Sequence, residues 1–315
     1  MTETVTPDDI EAAYRRIGGY IRRTPVMAIA RGDVGSPVDL TLKLELLQHA
    51  GSFKPRGAFN RVLTAGLLPD SGLIAASGGN HGAAVAYVAM TLGVSAEIFV
   101  PSTSPDIKRR NIERFGATVN IVEGIYDDAQ REANLRQACS AALMVHPFDH
   151  PATIAGQGTM SLELEQQLGS DGFETLIVAS GGGGFTAGQA AWFRDRRKIV
   201  SVEPETSQCL RQALLAGKPV SVEVSGVAAD ALGARQIGET PWNIVKEFVD
   251  LAVVVPDEEI RAAQRFLWNA RRLVVEPGGA AALAAIRCGA YVPEPRERVV
   301  VVVCGANCEP DTVTA

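Results

Sequence analysis

Apolar runs of strand length alternate along this chain with longer segments in which apolar residues recur at helical spacing. The short runs are rich in β-branched residues, and the predicted strands are "DLTLKLEL", "GLIAAS", "AEIFVP", "TVNIVE", "LMVHP", "TLIVAS", "KIVSVEP", "LAVVVP" and "RVVVVVCG". The predicted helices begin near Asp, Asn, Ser or Pro, mostly end near Gly, and include "NHGAAVAYVAMTLG", "SPDIKRRNIERFG", "DDAQREANLRQACSAA", "DEEIRAAQRFLWNARR" and "PGGAAALAAIRCG". Repeated alternation of strand and helix predicts an α/β fold with open parallel sheets covered by helices on both faces.

A glycine-rich turn recurs between a predicted strand and the helix that follows it. It appears as "ASGGNHG" at 76–82, as "ASGGGGFTAG" at 179–188 and, in a weaker form, as "CGANCEP" at 304–310. In open α/β sheets, ligands bind outside the carboxyl ends of the strands, where such turns lie. The three turns therefore indicate a single cleft built from several loops.

The turn "SGGGG", Ser180 to Gly184, has the composition of an anion-binding loop. Consecutive glycines let backbone N–H groups converge, and the start of the next helix adds the positive end of its dipole. A flexible turn is the alternative. The sequence has neither the Lys-Ser/Thr of a nucleotide P-loop nor the GxGxxG spacing of a dinucleotide site. A small phosphate-bearing cofactor therefore fits this loop better than ATP or NAD.

Lys54 lies at a strand-to-helix junction, in "GSFKPRGAFNRV". The residue before a proline is disfavoured in the α region, so we expect Lys54 to be extended and Pro55 to start the helix. An ordinary surface lysine is the alternative. A lysine partly shielded from water in a cleft can act as an amine nucleophile. With a phosphate-binding loop, it provides the minimal set of groups for pyridoxal 5′-phosphate (PLP), which lysine binds as a Schiff base.

The ordered motifs resemble those of fold-type-II PLP enzymes, in particular the threonine/serine dehydratases and serine racemases. The resemblance covers nearly the whole chain, through "KLELLQHAGSFKPRGA", "SGGNHG", "HPFDHPATIAGQGT", "SGGGG", "VEP", "VAADALGARQIG", "VVEPGGAAAL" and "VCGAN". It implies a tryptophan-synthase-β-like architecture of two domains. We expect a small mobile domain at 69–148, inserted into a large cofactor-binding domain formed by 1–68 and 149–315.

The resemblance also implies roles for individual residues. Lys54 would hold the cofactor and then move the Cα proton. The other expected cofactor contacts are Phe53 against the ring, Asn80 at the 3′-oxygen, Gly181, Gly182, Gly183 and Gly184 at the phosphate, and Cys304 at the pyridine nitrogen. Ser77, Asn80 and His81 would surround the substrate carboxylate. Glu276 and Asp230 lie in family motifs, where structural roles are equally open.

The expected activity is elimination of a β-hydroxyl group from an amino acid, which yields a 2-oxo acid and ammonia. A neutral thiol at Cys304 does not stabilise a protonated pyridine ring, which disfavours chemistry that needs a long-lived carbanion. Serine racemase is the nearest alternative, but racemases of this group carry a second serine where this chain has Gly78. A β-replacement synthase and a non-catalytic binding protein also stay open. Serine, threonine and 3-hydroxyaspartate all fit as substrates.

No metal site is expected. Some relatives bind a divalent cation through a glutamate and an aspartate six residues later, but here Glu203 is followed by Cys209. Magnesium prefers oxygen ligands, so we expect no dependence of activity on added magnesium. His146 and His150 have a spacing used by helical metal sites, but the intervening Pro147 argues against a helix there and favours packing roles.

Composition limits the remaining possibilities. The 315 residues are 46% hydrophobic with a net charge of −6, so bulk charge gives no support to a nucleic-acid partner. The polar N-terminus lacks a signal-peptide pattern, and the longest apolar run is too short to cross a membrane. Five scattered cysteines indicate a reducing cytoplasm. We expect a homodimer acting on a small amino acid and, since the chain ends soon after "CGANCEP", no regulatory domain.

Overall fold

The computed structural model describes residues 4–170 and 172–314, and within them the strands form two sheets. The strands are β1 (Val26–Ile29), β2 (Leu40–Leu44), β3 (Leu73–Ala76), β4 (Ala96–Pro101), β5 (Thr118–Val122), β6 (Leu143–Met144), β7 (Thr175–Ala179), β8 (Lys198–Pro204), β9 (Leu251–Val255) and β10 (Val299–Val303). The helices are α1 (Pro7–Ile17), α2 (Lys54–Leu63), α3 (Asn80–Leu92), α4 (Asp106–Glu113), α5 (Tyr126–Ser140), α6 (Pro151–Leu168), α7 (Gly184–Phe193), α8 (Cys209–Ala216), α9 (Ala229–Leu232), α10 (Glu239–Phe248), α11 (Asp257–Arg271), α12 (Pro277–Arg287) and α13 (Asp311–Thr314).

The larger sheet has six strands in the order β1-β2-β10-β7-β8-β9. Its neighbours pair in parallel except for β1, which runs antiparallel to β2 along the edge. All five valines of β10 are buried, as expected for a central parallel strand covered on both faces. The carboxyl ends of β2, β7 and β10 therefore meet at one edge of the sheet, next to the loops that carry Lys54, the glycine-rich turn 181–184 and Cys304.

The smaller sheet has four parallel strands in the order β5-β4-β3-β6. These strands and the helices α3, α4 and α5 between them all lie within residues 69–148. The loop "SGGNHG" follows β3, and α3 begins at its asparagine.

Helices α6 and α7 pack backbone to backbone, which sets the position of the glycine-rich turn. A Cβ added at Gly158 would lie 2.7 Å from the carbonyl oxygen of Gly188, and one added at Gly188 would lie 2.6 Å from the amide nitrogen of Gly158. Side chains at these two positions would push the helices apart. The close approach holds the start of α7 against the buried α6.

The predicted elements are confirmed at most positions. Each predicted strand contains an observed one, and "AEIFVP" and "KIVSVEP" match β4 and β8 end to end. The antiparallel edge strand β1 was not predicted, and it is a run of only four residues. No helix of the described residues is long and apolar enough to cross a bilayer.

Candidate active site

Lys54 is the first residue of α2, so the expectation of an extended conformation is wrong. Phe53, which precedes it, is also in the α region, with φ −58° and ψ −18°. The bias against helix before a proline is a preference that packing can override. Pro55, the second helical residue, removes no helical hydrogen bond there, because the first-turn N–H groups have no acceptor inside the helix.

The Lys54 side chain points into the space between the two sheets. The amide of Phe53 donates to the carbonyl oxygen of Cys304 (3.2 Å), which ties the start of α2 to the end of β10. The Lys54 ammonium donates to the carbonyl oxygen of Pro147, 3.1 Å away. Burial lowers the pKa of Lys54 to about 8, and the neighbouring Glu276 carboxyl group acts in the opposite direction. A substantial fraction of this amine is therefore neutral near physiological pH.

The turn 181–184 presents four backbone N–H groups without acceptors. None of the amides of Gly181, Gly182, Gly183 and Gly184 donates to another of the described residues. Gly183 has φ +86° and is the N-cap of α7, so the amides stand at a helix N-terminus. This is the arrangement that binds phosphate groups, and it fits the phosphate of PLP.

Neighbouring residues leave no room for side chains in this turn. A Cβ on Gly182 would lie 2.6 Å from the ring of Phe148, and one on Gly184 would lie 2.5 Å from the carbonyl oxygen of Phe148. Phe148 follows Pro147, whose carbonyl accepts from Lys54. The segment 145–148 therefore runs past both Lys54 and the turn, and brings the two predicted groups into one site.

The loop "SGGNHG" at the start of α3 forms the opposite side of the site. The Ser77 hydroxyl accepts from the amide of Gly79 (3.2 Å). Asn80 donates its side-chain amide to Glu276, and its Oδ1 accepts from Asn307 Nδ2 (2.7 Å). One N–H of the Asn80 amide group is left to reach a cofactor oxygen. The backbone amides of Asn80, His81 and Gly82 have no acceptor among the described residues and suit a carboxylate.

His81 takes part in this loop through its backbone. Its imidazole is buried, and Nε2 donates to the carbonyl oxygen of Val145 at 2.7 Å. Burial lowers the pKa of His81 to about 3, so the ring is neutral. The side chain thus fastens α3 to the segment leading to Pro147, and the backbone N–H of His81 stays open.

Phe53 and Cys304 lie beside Lys54 and are joined through their backbones. Phe53 stacks on Phe185 of α7, with ring centroids 3.8 Å apart, and therefore joins the start of α2 to the helix of the glycine-rich turn. The Cys304 thiol is buried and donates to the carbonyl oxygen of Gly278 (3.4 Å). Burial raises the pKa of this thiol far above its usual range, so Cys304 is uncharged.

Sequence reasoning missed Lys108 and Asn307 and left Glu276 undecided. Glu276 is buried, and its carboxylate accepts from Asn80 and lies 3.8 Å from the Lys108 ammonium. Asn307 links the loop to the 3-10 helix before Lys54, since its Nδ2 also donates to the carbonyl oxygen of Ala50 (2.8 Å). Glu276 and Asn307 stand in the motifs "VVEPGGAAAL" and "VCGAN", but the sequence does not show which residues their side chains contact.

Glu203 and Cys209 are held by protein groups. The buried Glu203 carboxylate accepts from the amides of Leu210 and Arg211 (both 2.8 Å) and so caps α8, and burial raises its pKa to about 7. The Cys209 thiol donates to the carbonyl oxygen of Gly181 at 3.3 Å. Across residues 4–170 and 172–314, no three His, Cys, Asp or Glu side chains form a group suited to a metal ion.

The two histidines considered for a metal site lie on either side of a bend instead of on one helix face. His146 follows β6, and its Nδ1 accepts from the amide of Asp149 (2.9 Å). His150 is the N-cap of α6 and accepts from the amide of Ala152 (3.1 Å). Both rings organise the backbone between the sheets.

A family model described as pyridoxal-phosphate dependent enzyme matches residues 17–305. The chain belongs to this family. It is 34% identical over 312 residues to an L-threonine ammonia-lyase of Thermotoga maritima, covering 96% of this chain and 76% of that protein. It is 37% identical over 278 residues to threonine dehydratase 1 of Solanum lycopersicum, covering 86% of this chain and 45% of that protein. The structure of maize serine racemase superposes with a TM-score of 0.90 at 31% identity, covering 98% of this chain and 96% of that one.

Family membership confirms the predicted cofactor, PLP, and the predicted fold. The four open amides of the glycine-rich turn and the partly neutral Lys54 amine fit its phosphate and its aldehyde. The chain spans about half the length of the tomato threonine dehydratase it matches.

Proposed function

We propose that the protein is a PLP-dependent threonine/serine dehydratase, which converts a β-hydroxy amino acid to a 2-oxo acid and ammonia. The observation that carries the proposal is the Lys54 amine, with a pKa of about 8, in a site with unpaired amides at two helix N-termini. One set of amides suits the cofactor phosphate and the other suits the substrate carboxylate. Relatives named as threonine dehydratase and threonine ammonia-lyase support this reading.

When bound, PLP withdraws electrons from the amino acid and so acidifies its Cα proton. Lys54 would hold the cofactor and then act as the base that removes this proton. A base must be neutral to accept a proton, and burial of Lys54 supplies that form near neutral pH. The amides of Asn80, His81 and Gly82 would hold the substrate carboxylate and thereby orient the Cα proton toward Lys54.

Cys304 supports elimination over carbanion chemistry. Its thiol is uncharged and already donates to the carbonyl oxygen of Gly278, so it gives no negative charge that would keep a pyridine nitrogen protonated. An uncharged Cys304 would therefore disfavour reactions that need a long-lived carbanion. Loss of the β-hydroxyl as water, leaving an enamine that hydrolyses to a 2-oxo acid and ammonia, is then the favoured outcome.

The test is an absorption spectrum of the purified protein before and after L-threonine or L-serine, with the 2-oxo acid assayed alongside. We expect a violet-absorbing band that Lys54→Ala abolishes, and 2-oxobutanoate from threonine or pyruvate from serine. Lys218→Ala is the matched control, because Lys218 is an exposed lysine outside the site. A cofactor band without any oxo acid would contradict the dehydratase proposal. A protein that takes up no cofactor would contradict the role of Lys54.

Serine racemase is the second candidate, and the fold similarity to maize serine racemase favours it. Racemization needs a proton donor on the face of Cα opposite the base. At the position where the resemblance leads us to expect a serine, this chain has Gly78. Chiral analysis of serine after incubation with the enzyme separates the two activities, and D-serine in excess of pyruvate would favour racemase.

We further propose that residues 69–148 form a small domain that closes over the substrate, and that the enzyme is a cytoplasmic homodimer. The four-stranded sheet and its helices support a separate small domain, since contacts such as Asn80 to Glu276 cross the cleft.

The proposed cytoplasmic location is supported by the exposed free thiols at Cys139 and Cys288, which suit a reducing compartment. The dimer rests on the resemblance to this enzyme group and is tested by light scattering against the chain mass of 33.3 kDa.

A further inference from the structure

The ammonium of Lys108 stands beside the loop we assign to the substrate carboxylate. Lys108 lies on α4 with its side chain 6% exposed. A Cβ built on Gly79 would lie 3.8 Å from Lys108 Nζ and 3.4 Å from the carbonyl oxygen of Asp230. A charge on Lys108 therefore acts directly on whatever the loop binds.

Two carboxylates of the larger half of the protein face this ammonium. Asp230 Oδ2 is 2.5 Å from Lys108 Nζ, and Glu276 Oε2 is 3.8 Å away. The Glu276 Oε2 atom is buried and has no hydrogen-bond partner, so it adds charge without a competing bond. Both carboxylates act to raise the pKa of Lys108, which outweighs its burial and keeps the amine protonated.

The charge of Lys108 is balanced even if Glu276 holds a proton. Burial raises the pKa of Glu276, which favours its neutral form, but Asp230 alone neutralises the ammonium. With both carboxylates ionised, the three side chains together carry one negative charge. In neither case does the group offer a free positive charge to a ligand.

The two histidines next to the loop supply no cation. The His81 ring is neutral because burial lowers its pKa to about 3, and burial also lowers the pKa of His146. Lys54 is required for the cofactor. A second carboxylate on the substrate would thus be taken out of water without an unpaired cation to meet it, which costs free energy.

We infer that Asp230, by keeping Lys108 paired at the substrate loop, restricts the enzyme to amino acids whose β-substituents carry no negative charge. The inference rests on the proposed dehydratase function and narrows its substrates to serine- and threonine-like amino acids, against 3-hydroxyaspartate. Asp230 is a specificity residue that acts through Lys108. Its side chain is 41% exposed, and an asparagine in its place keeps a carbonyl oxygen that can accept a hydrogen bond from Lys108.

The experiment compares kcat/KM of the holoenzyme and of Asp230→Asn for L-threonine, L-serine and 3-hydroxyaspartate. We expect the unmodified enzyme to prefer threonine or serine, and Asp230→Asn to shift the ratio about tenfold toward 3-hydroxyaspartate, since burial favours the neutral form of Glu276 and the substitution then leaves the Lys108 ammonium without a charged partner. Calorimetric titration with succinate, an unreactive dicarboxylate of the same chain length, gives a readout without turnover. Its affinity should rise by a similar factor in Asp230→Asn.

Asp106→Asn is the matched control, because Asp106 is an exposed carboxylate at the start of the same helix and pairs with Arg109. It should change neither the ratio nor the succinate affinity. Adding Lys108→Met to Asp230→Asn should cancel the gain. A preference of the unmodified enzyme for 3-hydroxyaspartate, or an Asp230→Asn variant with both readouts unchanged, overturns the inference. A cofactor-loaded enzyme that yields no oxo acid from any of the three amino acids overturns the proposed function instead, and the succinate titration still tests Asp230.

Discussion

The chemistry of Lys54 depends on how much of its amine is neutral, and burial sets that fraction. Burial lowers the pKa of Lys54 to about 8, whereas an exposed lysine titrates near 10.4. Below the pKa, the neutral fraction rises about tenfold for each pH unit. We expect the rate of cofactor uptake by the apoprotein to rise steeply between about pH 6 and 8 and then to level off, measured by stopped-flow absorbance. A rate that keeps rising to pH 10 would mean that the amine is not shielded from water.

Packing leaves no room for a side chain at Gly78, whatever effect a serine there would have on racemization. A Cβ added there would lie 1.9 Å from the Ser104 hydroxyl and 2.6 Å from Ser104 Cβ. We therefore expect Gly78→Ser alone to lower dehydratase activity by about tenfold or more, since the loop must shift. The double variant Gly78→Ser with Ser104→Gly should restore the loop and raise racemization of serine relative to elimination.

Ser104→Gly alone is the control for that experiment, and chiral chromatography with a pyruvate assay gives the ratio. If the single Gly78→Ser variant kept full activity, the close contact with Ser104 would not be limiting. If the double variant recovered elimination without any gain in D-serine, the absence of a serine at position 78 would not explain a dehydratase.

At the residue level, the sequence predicts the positions of those residues whose placement follows from local backbone rules. Lys54 and Gly181 to Gly184 could be placed at the ends of strands because turns between parallel strands and helices lie there. Lys108 could not be found in this way. Its partners Asp230 and Glu276 are far from it in the chain, and pairing across a cleft leaves no periodic signal in a single sequence.

The first turn of α2 is fixed by a buried ion network. Arg56 donates to Glu45 through Nε and Nη2 (both 2.8 Å) and to Glu163 on α6 at 3.0 Å. Lys43 on β2 also donates to Glu163, and the side chains of these four residues are at most 1% exposed. The network ties β2, α2 and α6 together two residues after Lys54. It fixes the direction in which α2 presents the Lys54 amine.

Glu163→Gln should destabilise the protein by about 3–5 kcal/mol, because it leaves two buried cations with one carboxylate. Urea unfolding followed by tryptophan fluorescence measures the change. Glu11→Gln is the control, since Glu11 pairs with Arg15 on the surface of α1 with its side chain 51% exposed, and should cost less than about 1 kcal/mol. Equal effects of the two substitutions would show that the buried network adds no stability.

At the level of elements, continuous apolar runs identified the parallel strands well, since strands covered on both faces must be apolar along their length. The start of α2 was misjudged. The rule that a residue before proline avoids helix is local, whereas Phe53 is bound to Cys304 and stacked on Phe185. Contacts between distant segments set the conformation at this junction, and they cannot be deduced from the order of residues.

In the whole molecule, the polar contacts between residues 69–148 and the rest converge on Glu276 and the 77–80 loop, whereas α2 and α3 pack through a buried apolar cluster that includes Phe59, Val62 and Val88. Lys108 and Asn80 reach Glu276 from the helices around the smaller sheet, and Arg110 lies 3.5 Å from Glu309 at the surface. Polar links of this kind break and re-form in water more readily than a packed apolar interface does. In the closure that we propose for residues 69–148, these polar links would be the part of the boundary that opens, and a ligand in the loop would favour the closed form.

Closure of residues 69–148 predicts a regional pattern of amide exchange. Adding L-alanine, which has no leaving group, to the holoenzyme should slow exchange in 77–82 and α4 by about fivefold or more, because ligand binding suppresses local opening. The central strands β7 and β10 should not change, since they are buried in the larger sheet already. Lys108→Met should weaken the effect because it removes the link to Asp230 and Glu276, whereas Asp106→Asn should leave it intact. Uniform slowing in both sheets would mean that the ligand stabilises the protein as one body and that residues 69–148 do not move separately.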